Sequence, residues 1–283
     1  MIVLLARRVR DPLPADPSRP FDVVGAVLSA VGLVLLVTGI LAADNNAAVM
    51  AALFAGSALV LFAFFWWVRS REALGREVLL STALFRNRTS NLGMVTQNAQ
   101  WLMLMGGSFT VSAYLQVVRG YDAIQTGVIF TAATVGILLS SLAAGQFARR
   151  RPQRTLIVAG FCLTIAGMVL LLAMASGSST AWTYAPGLFL LGFGMGTMLT
   201  PSVNVVQSSF AEDLQGEISG LSRSVSNLGS SLGTAIAGTI LVAGLSTHAY
   251  GAAIVALALI GLVGLVAAAL LPRSITPATA ATT

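Results

Sequence analysis

The sequence contains no lysine: all 16 of its basic residues are arginine, set against 10 Asp plus Glu. It has one cysteine, Cys162, and one histidine, His248. A disulfide framework needs paired cysteines, and a Cys- or His-based metal centre needs several ligands, so neither is expected, nor any metal or cofactor. Charge of either sign is scarce. Charged residues make up 9% of the 283, where soluble domains carry about 25%. So few charges cannot cover a soluble core of this size, which excludes a soluble enzyme. Disorder is excluded from the other side, because 56% of the chain is hydrophobic. A pI near 10.7 would suit nucleic acid only with a basic face on a folded domain. Here the arginines sit in short gaps between apolar runs. The expected partner is therefore the lipid bilayer and not nucleic acid.

What the chain does have is apolar length, with a mean hydropathy of +0.86. A helix rising about 1.5 Å per residue needs about 20 apolar residues to cross the hydrocarbon layer. Eight stretches qualify: A, 22–43; B, 47–68; C, 91–117; D, 124–147; E, 155–174; F, 184–207; G, 217–245; and H, 251–271. The runs are continuous and do not alternate, which rejects an outer-membrane barrel. The expected class is an all-α membrane protein with eight transmembrane helices.

The gaps between spans are unequal in charge. Gaps A–B, C–D, E–F and G–H share a single arginine, Arg119. The others lie before A (Arg7, Arg8, Arg10, Arg19), between B and C (Arg69, Arg71, Arg76, Arg86, Arg88) and between D and E (Arg149, Arg150, Arg151, Arg154). Arg223 follows the F–G gap and Arg273 follows H. The positive-inside rule then places the chain in the cell membrane, multi-pass, with both termini in the cytoplasm. Residues 1–8 are too short to span and read as the last turns of a preceding helix. Residues 76–88, apolar on Val78, Leu79, Leu80, Leu84 and Phe85 amid basic residues, read as a short interfacial helix.

Three spans carry polar chemistry. On C, Gln97, Asn98, Trp101, Met105, Ser108, Ser112 and Gln116 fall within roughly 100° of arc. Amides in hydrocarbon need partners or water. Two readings fit: a cavity lining that offers polar and aromatic contacts to an amphipathic compound, or hydrogen bonds between helices. On F, Gly192, Gly194 and Gly196 precede Thr200, Pro201, Asn204 and Gln207. The glycines allow close helix approach, and the ring of Pro201 invites a kink. Gly196, Thr200, Asn204 and Gln207 share one face, either a lining or a packing surface. On G, Arg223, Asn227, Ser230 and Thr234 align beside a small-residue stripe, Gly229, Gly233 and Ala237. An intramembrane arginine is costly, so Arg223 should face a cavity or a partner among Glu212, Asp213 and Glu217, or else snorkel to the surface.

Two apparent catalytic patterns fail on context. Gly192 to Gly196 has no preceding strand and lies in mid-membrane, unlike a dinucleotide fingerprint. Gly229-Ser230-Ser231-Leu232-Gly233 lacks a strand-to-helix elbow and a nearby histidine. No catalytic residue is expected. No Asp or Glu lies in the middle of any span. Proton-driven transport needs a titrating group in its pathway, and this chain offers no evident one.

Several stretches together resemble one family. They are Phe21-Asp22-Val23-Val24-Gly25 at the start of A, and Tyr114-Leu115-Gln116-Val117-Val118-Arg119-Gly120-Tyr121 at the end of C. Gln125-Thr126-Gly127 opens D, and Gly145 through Arg154 links D to E. The glycines and Pro201 of F follow, then Ser219-Gly220-Leu221 and Asn227-Leu228-Gly229 in G. In this order they resemble the second part of a major facilitator superfamily transporter, most closely the fourteen-span drug–proton antiporters of the EmrB/QacA group. The D–E loop is similar to the family's cytoplasmic pattern Gly-x-Leu-x-Asp-Arg-x-Gly-x-Arg. Gly145, Arg150 and Arg154 match it, while Phe147, Arg149 and Pro152 depart. Arg149 cannot accept hydrogen bonds as the family's aspartate does, so any latch here must differ.

The resemblance implies a division of the chain. Residues 1–20 would be a cytoplasmic connector with the stub of a preceding helix, and 21–68 two linker transmembrane helices. Residues 69–90 would be a cytoplasmic connector with the interfacial helix. Residues 91–271 would form a six-helix C-terminal transporter half of two inverted three-helix repeats, C-D-E and F-G-H, and 272–283 a cytoplasmic tail. The implied function is efflux of small amphipathic compounds, cations among them, by proton antiport, through rocking against an N-terminal half absent from this sequence. Gln97, Trp101, Ser108, Ser112, Gln116, Thr200, Asn204, Gln207, Arg223 and Asn227 would line the substrate pathway. Gly145, Arg150, Arg154, Gly192, Gly196, Pro201, Gly229 and Gly233 would serve packing and gating, with G as the hinge and contact helix against the absent half. The rival readings are a truncated, non-transporting membrane protein and one half of a split transporter that needs a partner chain.

Overall fold

Inside lipid no water can pair a bare peptide group, so an apolar run must close its own backbone hydrogen bonds as a helix. Among the described residues of the computed structural model, eight helices are long and apolar enough to cross a membrane. They are α1 (Val23–Leu41), α2 (Ala47–Ala73), α3 (Arg88–Ala113), α4 (Ala123–Ala148), α5 (Gln153–Ala175), α6 (Ala185–Gln207), α7 (Gln215–Val242) and α8 (Thr247–Ala269). The structure describes residues 22–42, 47–75, 78, 81–148, 151–175, 180–211, 214–242, 244 and 246–273. The expected helix stub at 1–8, Arg150, Glu212 and Asp213 lie outside the described residues. The eight helices match spans A to H in order, and the described secondary structure is helical throughout. α2 continues past span B through Arg69 and Arg71, because helix propensity does not stop where apolarity does.

The helix starts follow local chemistry. Asp22 caps α1, its carboxylate accepting the Gly25 N–H at 3.0 Å. Asn87 caps α3 through the N–H groups of Thr89 and Ser90, and Ser246 caps α8. α3 runs on into a π-helical turn at Tyr114–Val118. Gly120, at φ +73°, then turns the chain toward α4. α6 passes through Pro201 as one helix.

The pairings of helices are symmetric. α3 packs on α7 as α6 packs on α4, and α3 on α8 as α6 on α5; α3 also meets α6, and α5 meets α8. Exchanging the triplets α3–α5 and α6–α8 leaves this pattern unchanged. Three crossings carry a triplet to the opposite side of the membrane, so the second triplet starts inverted relative to the first. α1 and α2 form a separate hairpin that touches the bundle through α7.

Large apolar side chains point outward, among them Phe62, Trp66, Leu142 and Val263, as a lipid solvent allows. The interior ends in a tyrosine cluster. Tyr114 stacks on Tyr250 at 4.2 Å between ring centroids and meets Tyr184 edge-on at 6.1 Å. Two of the hydroxyls tie to main chain: Tyr114 donates to the Ala175 carbonyl and Tyr250 to that of Leu171.

The segment read as an interfacial helix at 76–88 is different. Where it is described it forms a single 3₁₀ turn, Thr82–Arg86. Leu84 is fully buried, packed with Met94, Val206, Ile218 and Leu221. Two carboxylates hold the turn in place. Glu72 accepts the Thr82 N–H and hydroxyl and the Ser81 hydroxyl, and Glu217 accepts the Ser81 N–H at 3.1 Å. An apolar residue drawn into the bundle by such a grip cannot also lie on the membrane surface.

Candidate functional site

α7 carries the polar pattern on which a site is built. Ser219, Ser222 and Ser226 recur at spacings of three and four, so they share one helical face. That face meets the last turns of α6 and the middle of α3. Trp101, Leu199, Val203, Gln207, Ser219, Ser222, Arg223 and Ser226 enclose a pocket of about 250 Å³.

The pocket joins three of the residues expected to line a pathway: Trp101, Gln207 and Arg223. Gln207 donates to the Ser219 hydroxyl at 3.2 Å. Arg223 is exposed, and among the described residues no ion pair holds it. Glu217, a suggested partner, is turned to Ser81 instead. Ser219, Ser222 and Ser226 were not singled out as lining residues by sequence reasoning. Their spacing on one face was the available signal.

Gln97 sits behind this wall. It is 1% exposed and accepts a hydrogen bond from the Ser222 hydroxyl at 2.8 Å. Among the described residues its Nε2 has no partner. Asn98 donates to the Val225 carbonyl at 3.0 Å. The amides at the start of span C therefore bind α3 to α7. Further along α3, Ser108 and Ser112 are half-buried, and Gln116 is exposed and donates to the Ser112 hydroxyl. None of these three reaches the pocket. Thr200 and Asn204 are exposed beside it, while Gly196, expected on the same face, is buried against α4. Asn227 lines a different groove, between α7 and Leu33, Val34 and Val37 of α1.

The glycines decide which helices touch. A Cβ on Gly233 would strike the carbonyl oxygen of Leu102, and one on Gly229 that of Asn98. This stripe, expected as a close helix contact, is filled by α3 of the same chain. The exposed polar residues of α7 are Arg223, Ser224, Asn227, Ser231 and Thr234, of which Ser224, Asn227 and Ser231 line the groove toward α1. On α6, Gly192 and Gly196 abut α4 at Ala133 and Ile137, whereas Gly194 abuts Gly160 and Thr164 of α5. Residues four apart share a face and residues two apart do not, so alternate glycines serve two neighbours. Pro201 is buried. Gly145 lies near the end of α4, and Arg154 is half-buried in the first turn of α5.

Among the described residues no cluster of three or more His, Cys, Asp or Glu could hold a metal ion. The pocket's chemistry is that of a recognition surface: a permanent guanidinium charge, an indole face, an amide, and hydroxyls that both donate and accept.

Comparisons with known proteins agree in direction. The Major Facilitator Superfamily pattern matches residues 21–234. The chain is 27% identical over 233 residues to the multidrug resistance protein Stp of Mycobacterium tuberculosis, covering 82% of this chain and 42% of that protein. It is 30% identical over 233 residues to the tetracenomycin C resistance and export protein of Streptomyces glaucescens, covering 79% and 41%. It is 29% identical over 236 residues to the multidrug efflux pump LfrA of Mycolicibacterium smegmatis, covering 83% and 45%. The chain thus spans less than half the length of these curated relatives. With eight lipid-length helices and a family pattern that runs from α1 into α7, this chain is a multi-pass membrane protein that belongs to the Major Facilitator Superfamily.

Proposed function

We propose that the chain acts as the linker pair and C-terminal six helices of a fourteen-span drug–proton antiporter of the EmrB/QacA kind, exporting small amphipathic compounds. The observation that carries this reading is the pocket where α3, α6 and α7 meet, with an indole, an amide and an arginine around one space. Resistance and export proteins among the relatives support it. The fixed charge of Arg223 favours flat compounds rich in acceptor oxygens at this pocket and disfavours cations there.

In this reading the halves rock about the pocket, and the open polar face of α7 meets the other half. Proton coupling needs a titrating group in the pathway. With no Asp or Glu in mid-span here, the reading assigns that group to the other half.

The test is a double replacement, Gln97→Ala with Trp101→Ala, in the full transporter expressed in a drug-sensitive host. Loss of one aromatic contact, about 1 kcal/mol, corresponds to roughly a fivefold change in affinity. Export should shift by that factor for aromatic compounds and less for others. An unaltered drug profile would return these residues to packing alone.

The same reading places both termini in the cytoplasm of a cell-membrane protein, because the arginines gather at one end of the helices. In a Cys162→Ser background, an impermeant maleimide applied to intact cells should label Asp122→Cys and Thr180→Cys. It should leave Arg151→Cys and Ser208→Cys unlabelled until the cells are opened. The reverse pattern would invert the topology.

A further inference from the structure

α7 has a second, opposite face. Its residues Glu217, Gly220, Leu221, Ser224, Val225 and Leu228 line a cavity of about 560 Å³ shared with α1, α2 and the 3₁₀ turn. None of these six lines the Arg223 pocket. The far wall is aromatic and aliphatic: Phe64 and Phe65 of α2, Phe85 of the turn, and Leu33 and Leu61. The rings form a chain of edge contacts, Phe64 to Phe65 at 5.3 Å and Phe65 to Phe85 at 5.9 Å between centroids. Phe65 is 48% exposed and Phe85 36%, so both present ring surface to the opening.

The cavity has a polar end and an apolar end. Glu217 lies in the first turn of α7, and Leu228 three turns further on, about 16 Å along the axis. Among the described residues Glu217 is the single charged residue in the lining, and no basic residue accompanies it there. One of its oxygens accepts the Ser81 N–H. A carboxylate has further acceptor sites beyond one such bond. Ring faces attract cations and repel anions. Aromatic walls and a carboxylate at one end, with no arginine among the described lining residues, together select the charge of the occupant.

We propose that this cavity binds an amphipathic organic monocation, its apolar body against Phe64, Phe65 and Phe85 and its charge beside Glu217. The occupant reaches it from the membrane side, between the α1–α2 hairpin and α7. This site is separate from the Arg223 pocket and of opposite charge preference. It concerns binding alone, so it stands or falls without regard to transport.

The experiment measures equilibrium binding of tetraphenylphosphonium to the purified full chain in detergent. Tetraphenylborate, of the same shape and opposite charge, is the comparison. The cation should bind saturably and more tightly than the anion. Glu217→Gln keeps an acceptor oxygen for the Ser81 N–H and removes the charge. It should weaken the cation about tenfold and leave the anion unweakened. Gly220→Leu serves as a second variant, because a Cβ at Gly220 meets open space and the new side chain fills the cavity without displacing a helix. It should weaken binding of the cation while the melting temperature holds. Equal affinity of wild type for the two ions, or tetraphenylphosphonium binding indifferent to both variants, overturns the proposal. So does a cavity filled by co-purified phospholipid that the cation does not displace.

Discussion

Gly233→Leu should leave little folded protein. The α3–α7 contact is built backbone to backbone, and a Cβ at Gly233 would strike the Leu102 carbonyl. Gly106, across the same contact, has no more room, since its Cβ would lie 2.8 Å from the Gly233 oxygen. Neither carbonyl can rotate away without breaking a helical hydrogen bond. Overpacking a close-packed interior costs typically about 1–3 kcal/mol. Here the obstruction is main chain, so the upper end of that range or beyond is expected. Separating α3 from α7 would also break the Ser222–Gln97 and Asn98–Val225 hydrogen bonds. The measurement is a thermal melt followed by size-exclusion chromatography in detergent. Gly127→Leu is the control, because a Cβ at Gly127 meets nothing within 4 Å. If the two variants melt alike, the close contact is not what holds α7 in place.

Asp22→Ala should loosen the α1–α2 hairpin while sparing the bundle. Asp22 is 3% exposed. Its Oδ1 accepts the Gly25 N–H at 3.0 Å and the Trp67 indole N–H at 3.1 Å. Arg71 completes an ion pair with it at 3.5 Å and lies over the Trp67 ring. An N-cap lost to alanine costs about 1 kcal/mol, and removing one partner of a buried pair about 3–5 kcal/mol. Arg71 retains some solvent, with 20% of its side chain exposed, so a total of about 2–4 kcal/mol is expected. Asn caps as well as Asp, so Asp22→Asn isolates the charge and should recover only the capping share. Hydrogen exchange on the full chain should show faster exchange in α1 and α2 than in α3 to α8. Uniform acceleration through every helix would mean that the cluster supports the whole fold and not the hairpin.

Much of this architecture is legible in the sequence. The eight apolar runs give eight helices among the described residues. The Gly229–Gly233 stripe was foreseen as a close contact. Of the interfacial helix expected at 76–88, the described residues form a 3₁₀ turn at Thr82–Arg86, because periodicity cannot show that Glu72 and Glu217, from distant parts of the chain, will hold Ser81 and Thr82. The candidate site was less legible than the fold. Trp101, Gln207 and Arg223 meet in one pocket, but Ser108, Ser112, Gln116, Thr200, Asn204 and Asn227 do not line it. On a helical wheel all of them were polar residues on plausible faces.

The order of residues alone settled how many times the chain crosses and which residues lie on a common helical face. Both are local properties: the first follows from the cost of bare peptide groups in lipid, the second from 3.6 residues per turn. The neighbour that each face meets was a matter for the assembled bundle. Gly233 meets Leu102 of α3, Gly192 meets α4, Gly194 meets α5, and Glu217 holds a connector turn and not Arg223. A face along one helix carries no label for its partner. The partner is chosen only when all eight helices compete for the same space, and carbonyl groups reach glycines where no side chain stands between them.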